Sequence, residues 1–156
     1  MVESGTFMGD MIDAQLPNFD VIHSIELSDE LYQQAVQKYA GNAKVILHNG
    51  DSGEKLKEIV PSLKQAALFW LDGHYSGGIT AKGEKICPVY AELDAIFSSD
   101  FPHLVLIDDA RLFVGKDDYP TIEELKAYVK QSGRTHAFEQ EDDTLILKLI
   151  HEATGQ

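Results

Sequence analysis

Cysteine is nearly absent from this chain, basic residues are scarce, and no apolar run is long. Cys87 is the single cysteine among 156 residues, so no disulfide can close within the chain and a disulfide-stapled scaffold is excluded. Nothing beside Cys87 marks an activated thiol; it reads as a small residue near a loop. Lys and Arg number 13 against 26 Asp and Glu, for a formal net charge of −13. That balance argues against binding a phosphate backbone, which relies on clustered cations, so no nucleic-acid partner is expected. Apolar stretches such as Leu104–Ile107 fall far short of the roughly 20 residues that cross a bilayer. No charged segment followed by an apolar core opens the sequence, so a cytoplasmic protein with no membrane partner is expected.

What is present is an ordinary globular composition, 44% hydrophobic and 25% charged, in a length that fits one domain over 1–156. No repeat, low-complexity segment or linker divides it. Strands are predicted at Val21–Ile25, Lys44–Leu47, Ala67–Leu71, Leu104–Ile107, Ala137–Gln140 and Leu145–Ile150. The inner ones are apolar on both faces, as strands covered by helices on each side are. Between them lie amphipathic helices. Asp29–Ala40, capped by Ser28, sets Leu31, Ala35, Val36 and Tyr39 on one face. Val89–Phe97 follows Pro88, and Thr121–Gln131 opens on T-I-E-E, a capping box with Glu124 in its third position. Shorter helices are predicted at Met8–Gln15 and at Gly53–Val60, the latter stopped by Pro61. Strand alternating with helix implies βαβ units and a mainly parallel sheet, an α/β fold. Met1–Val2–Glu3 reads as the last residues of one further strand, which leaves two readings open: a trimmed strand, or a partner that covers the gap.

In such a sheet ligands bind beyond the carboxyl ends of the strands, and every predicted strand end there carries acid. The first is followed by E-S-G-T-F-M-G-D, with Glu3, Gly5 and Gly9; the next by Glu26 in S-I-E-L-S; the third by Asp51 in H-N-G-D-S. Asp72 ends F-W-L-D-G-H-Y, and Asp108 and Asp109 end L-V-L-I-D-D-A. A lone acid at such a place is most often a helix cap or a solvated loop charge; acid at all five ends asks for more. The first three suit a nucleoside. Gly5 and Gly9 let the backbone approach a ligand, Glu26 stands where an acid accepts from ribose hydroxyls, and Asp51 could accept from the amine of a base. Asp72, Asp108 and Asp109 offer oxygen without a zinc-type His/Cys cluster, which favours Mg²⁺, Mn²⁺ or Ca²⁺.

With those residues in view, the whole chain resembles class I S-adenosylmethionine-dependent methyltransferases, and within them the macrocin O-methyltransferase group of bacterial sugar methyltransferases. V-E-S-G-T-F-M-G-D, S-I-E-L-S, N-G-D-S, W-L-D-G-H-Y and L-I-D-D-A carry the resemblance. It implies a Rossmann-like, three-layer α/β/α fold on a seven-stranded sheet with one antiparallel strand. It also implies an S-adenosylmethionine site drawn from Glu3, Ser4, Gly5, Thr6, Phe7, Gly9, Glu26, Asp51, Ser52 and Asp72, and Mg²⁺ on Asp72, Asp108 and Asp109. Two departures stand out. Thr6 and Phe7 follow Gly5 where methyltransferases commonly carry G-x-G, and His74 takes a place where the macrocin group usually has an acid.

The reaction expected is methyl transfer to a hydroxyl of a sugar or other small diol, with His74 or Asp72 receiving the proton; His74 is preferred, its intrinsic pKa being nearer neutrality. Lys82, Lys85 and Arg111 read as solvated charge, Tyr75, Tyr90 and Phe113 as packing, His23 and His48 as structural. A homo-oligomer is left open. Two other classes compete: a methyltransferase-like module that holds the nucleoside without turnover, and a Mg²⁺-dependent phosphohydrolase with Asp72 as nucleophile.

Overall fold

A computed structural model describes residues 1–73, 87–134 and 136–150. Seven strands form one sheet: β1 (Val2–Ser4), β2 (Ile22–Glu26), β3 (Val45–Asn49), β4 (Leu68–Leu71), β5 (Leu104–Ile107), β6 (His136–Glu141) and β7 (Thr144–Leu149). Their order is β3-β2-β1-β4-β5-β7-β6. β1 to β5 are parallel, and β7 runs antiparallel to both β5 and β6. Five helices join them: α1 (Asp10–Gln15), α2 (Asp29–Lys38), α3 (Ser52–Ile59), α4 (Val89–Phe97) and α5 (Ile122–Gln131).

The helices split the apolar residues into two layers, one on each face of the sheet. The larger packs Leu56, Leu93, Ile96, Leu125 and Val129 against Val2, Ile25, Phe69, Val105 and Leu147. The smaller joins Ile12, Ala35 and Tyr39 to Met1 and Ile22, with Leu68 and Trp70 half-buried against them. Strands covered on both sides explain why β4 and β5 are continuous apolar runs. β1 is three residues long yet wholly buried, because β2 and β4 flank it.

Local chemistry sets the helix ends. Ser28 Oγ accepts from Leu31 N at 3.4 Å, and Thr121 and Glu124 form the reciprocal capping box. α2 stops at Lys38, two residues before its predicted end, and Val36 is 38% exposed rather than on the buried face. α1 begins at Asp10 and not Met8, because Gly9 takes a left-handed conformation as its N-cap. Pro61 does not stop α3 outright; a 3₁₀ turn, Val60–Ser62, carries on from it. Among the described residues no helix is long and apolar enough to cross a membrane.

Candidate active site

The switch point of this sheet lies between β1 and β4: one crossover series runs outward to β3, the other to β5 and the hairpin beyond. There the loops after β1 and β4 touch. Asp72 N donates to Ser4 O at 3.1 Å. Gly5, at φ 86°, lies so close that a Cβ would meet Asp72 O at 2.3 Å. Glycine is required at position 5 both by conformation and by space. Gly9 is held as tightly from α2: Tyr39 OH donates to Gly9 O at 2.8 Å, and a Cβ on Gly9 would meet that hydroxyl at 2.2 Å. Lys38 Nζ donates to Met8 O at 2.9 Å. The loop that the sequence marked by its glycines is thus fixed by two side chains thirty residues on, which carry no local signal.

Glu26 faces this loop from the end of β2. It is buried; Oε1 accepts from Ser28 N at 2.8 Å and Oε2 from Phe7 N at 2.9 Å. Two backbone donors hold the carboxylate in one orientation and leave each oxygen further accepting capacity. Phe7 adopts φ 47°, unusual for a bulky residue, and its N–H reaches Glu26 from that conformation. Glu3 lies beneath, buried, accepting from Ser24 Oγ, which is in turn 2.6 Å from Thr6 Oγ1. Burial pushes the Glu3 carboxyl up to about 8; the Ser24 hydrogen bond opposes this, and the charges of Asp72 and Glu26 add to it.

Asp51 caps α3, accepting from Glu54 N at 3.2 Å through Oδ1, and Ser52, the first residue of that helix, is buried. The capping role anticipated for a lone acid is therefore real at Asp51. It leaves Oδ2 without a capping duty.

The β4–β5 side is organised by repulsion. Asp72 is pushed up to about 7, first by burial and then by the charges of Asp108, Asp109 and Glu92, with Arg111 opposing. One carboxylate oxygen from each of Asp108, Asp109 and Asp143 lies within 4.8 Å of the others; Asp72 stands outside that trio. Asp143 belongs to the turn between β6 and β7, which the antiparallel register Ile107↔Leu145 returns to the end of β5. Arg111 knits the group: its N–H donates to Asp143 Oδ1 at 2.8 Å, and Nη1 bonds Asp109 Oδ1 at 2.7 Å as well as Asp143 Oδ2. Three oxygen donors at this spacing suit a hard divalent cation, and the guanidinium supplies positive charge to two of them.

Glu92, on α4, also escaped the sequence reading, since it sits at helical spacing among apolar residues. It is fully buried, and neither oxygen closes a hydrogen bond, nor does Ser4 Oγ. Burial pushes its carboxyl up, while the hydroxyls of Ser52 and Ser4 act the other way. Gly73 lies over it, a Cβ there falling 3.0 Å from Ser4 Oγ and 3.3 Å from Glu92 Oε1. His74, Tyr75, Lys82 and Lys85 lie outside the described residues. His23 and His48 pair with each other, Nδ1 to Nε2 at 3.0 Å.

The strand order with its antiparallel β7, the glycine loop at the switch point and the acid after β2 define a Rossmann-like fold of the class I methyltransferase type. Solved structures agree. A candidate caffeoyl-CoA O-methyltransferase from Staphylococcus aureus superposes with a TM-score of 0.60 at 15% identity, over 95% of this chain and 74% of that one. CalS10, an S-adenosylmethionine-bound amino pentose methyltransferase from Micromonospora echinaspora, gives 0.60 at 13% identity, over 95% and 81%. The 23S rRNA methyltransferase ErmE gives 0.56 at 14%, over 97% and 61%. No protein-family model and no curated protein matches the sequence.

Proposed function

We propose that this chain binds S-adenosylmethionine and transfers its methyl group to a hydroxyl oxygen of a sugar or other small molecule with neighbouring hydroxyls. The observation that carries the donor half is Glu26: a buried carboxylate, oriented by two backbone N–H groups, facing a glycine loop at the switch point. Such a group accepts from both hydroxyls of a ribose. The Gly5–Gly9 backbone, with Glu3, Ser4, Thr6 and Phe7, would line the amino-acid end of the donor, and Asp51 and Ser52 the adenine. SAM-bound CalS10, of the same fold, supports that choice of donor.

Asp108, Asp109 and Asp143 would hold a divalent ion, with Asp72 beside them; bound there, it would polarise paired hydroxyls of the acceptor and lower the pKa of the reacting one. Asp72 or His74 then receives the hydroxyl proton. Burial and the charges of Asp108 and Asp109 push Asp72 up to about 7 in the metal-free chain, and a cation on those two carboxylates would bring it back toward the ordinary range. Methyl transfer is an in-line displacement, so holding donor and acceptor in place supplies much of the acceleration. A net charge of −13 favours a small acceptor over RNA, the substrate that ErmE's name gives for that protein.

Thermal melting with S-adenosylmethionine and with S-adenosylhomocysteine, each with and without Mg²⁺, tests this before any acceptor is known. Both nucleosides should raise the midpoint, and Mg²⁺ should add to it. No shift with either nucleoside would refute the donor assignment. Binding without turnover across a broad panel of diols would instead make the chain a nucleoside-binding module.

A further inference from the structure

The two edges of the sheet differ in how they face solvent. β6 reads H-A-F-E-Q-E; its outer half, Glu139–Glu141, is exposed, and Glu139 pairs with Lys148 at 3.0 Å. Charge on an edge strand keeps its open backbone groups from recruiting another chain. β3 reads V-I-L-H-N, without acid, lysine or proline, and Ile46, its second residue, is 41% exposed. A groove of about 570 Å³ runs beside it, lined by Tyr32, Val36 and Tyr39 from the α2 side and by Val45, Ile46 and Leu47 of β3. None of its nine lining residues is charged, in a chain that is 25% charged. Lys44, at the start of the strand, turns its charge inward, Nζ donating to Leu16 O at 3.1 Å and Phe19 O at 3.2 Å. Val36 and Ile46, two of the eight exposed large hydrophobic side chains among the described residues, both line this groove.

We infer that this edge docks a second copy of the chain, β3 pairing antiparallel with β3 across a two-fold axis so that the sheet continues from one copy into the next. The charge distribution selects that occupant. A chain at −13 repels its own copies over most of its surface, and a groove lined by no charged residue is where two copies can meet at the least of that cost. A basic partner would need acids in the groove, and there are none. Two-fold pairing asks for a surface that complements itself, and a bare strand edge does so through its own N–H and C=O groups. A stable interface buries about 800 Å² per partner, near a tenth of the 8515 Å² surface of the chain. A five-residue ladder falls short of that alone, so the inferred interface takes in Tyr32 and Val36 of α2, which line the groove.

Sedimentation equilibrium of the full chain from micromolar to millimolar concentration tests this. The wild type should dimerise. Ile46→Lys and Val36→Glu should each weaken the dimer at least ten-fold, while Glu139→Lys at the opposite edge leaves it unchanged. Hydrogen exchange on the wild type gives a check free of mutations: β3 amides should gain protection as concentration rises. A wild type that stays monomeric throughout overturns the inference. So does a dimer that survives both substitutions, or one whose β3 amides exchange equally at all concentrations.

Discussion

On the β1–β2–β3 side of the carboxyl edge, acids are tied down: Glu26 by Phe7 N and Ser28 N, Asp51 by Glu54 N. On the β4–β5 side, Asp108, Asp109 and Asp143 crowd together, Asp72 feels the charge of the first two, and Arg111 satisfies only part of it. Backbone donors fix the first set before any ligand arrives, which suits recognition of a neutral ribose. The second set holds unspent negative charge, which suits a cation and a proton. One edge thus combines a preorganised half with a frustrated half, and the two should respond differently to substitution.

The largest effect is expected where the halves touch. Gly5→Ala should cost roughly 2–4 kcal/mol of stability in urea titration and abolish binding of S-adenosylhomocysteine, since its Cβ would strike the Asp72 carbonyl at an unfavourable φ. Gly133→Ala, at φ 73° but in open space, should cost only about 1 kcal/mol. Equal losses at the two sites would remove the steric part of the argument.

Next, Glu26→Gln should weaken S-adenosylhomocysteine about 10- to 100-fold by calorimetry, the loss of a charged acceptor. Asp108→Asn should leave that affinity within about three-fold while removing any response of melting to Mn²⁺. A reversed pattern would exchange the assignments of the two halves.

A smaller effect concerns pH. Burial lifts Glu3 from 4.5 to about 8 and Asp72 from 3.8 to about 7. Between those limits the folded chain holds protons that the unfolded chain has released. The stability is therefore fully present below about pH 4 and is lost as pH rises through 7 to 8. Without divalent ions, the melting temperature should fall between pH 5 and 8.5, and Glu3→Gln should flatten the slope. A melting temperature that climbs over that range would contradict the burial of these acids. The smallest effect belongs to a cap remote from the site: Thr121→Ala should cost about 1 kcal/mol and leave ligand binding untouched.

Much of the fold was readable in advance because it rests on local rules. Leu104–Ile107 and Val89–Phe97 were bounded as found, and the caps at Ser28 and Thr121 hold where side-chain chemistry places them. The glycines and acids after β1, β2 and β3 were legible for a related reason: they fall at strand ends, where the sequence pattern itself changes. Asp143 was not. It sits in a hairpin turn resembling any solvated E-D-D-T, and only the antiparallel pairing of β7 with β5 returns it to Asp108. Glu92, Tyr39 and Lys38 escaped too, since a buried acid or a clamp on a distant loop leaves no mark on its own helix.

The order of residues alone decided which segments become strands and helices and that acid would stand at the ends of the parallel strands, because hydrophobic periodicity, caps and glycines act over a few neighbours. Tertiary structure decided which of those acids meet, which are held by backbone donors and which are left in repulsion. Those outcomes depend on register and burial, which bring together residues from separate elements and which no short window of sequence contains.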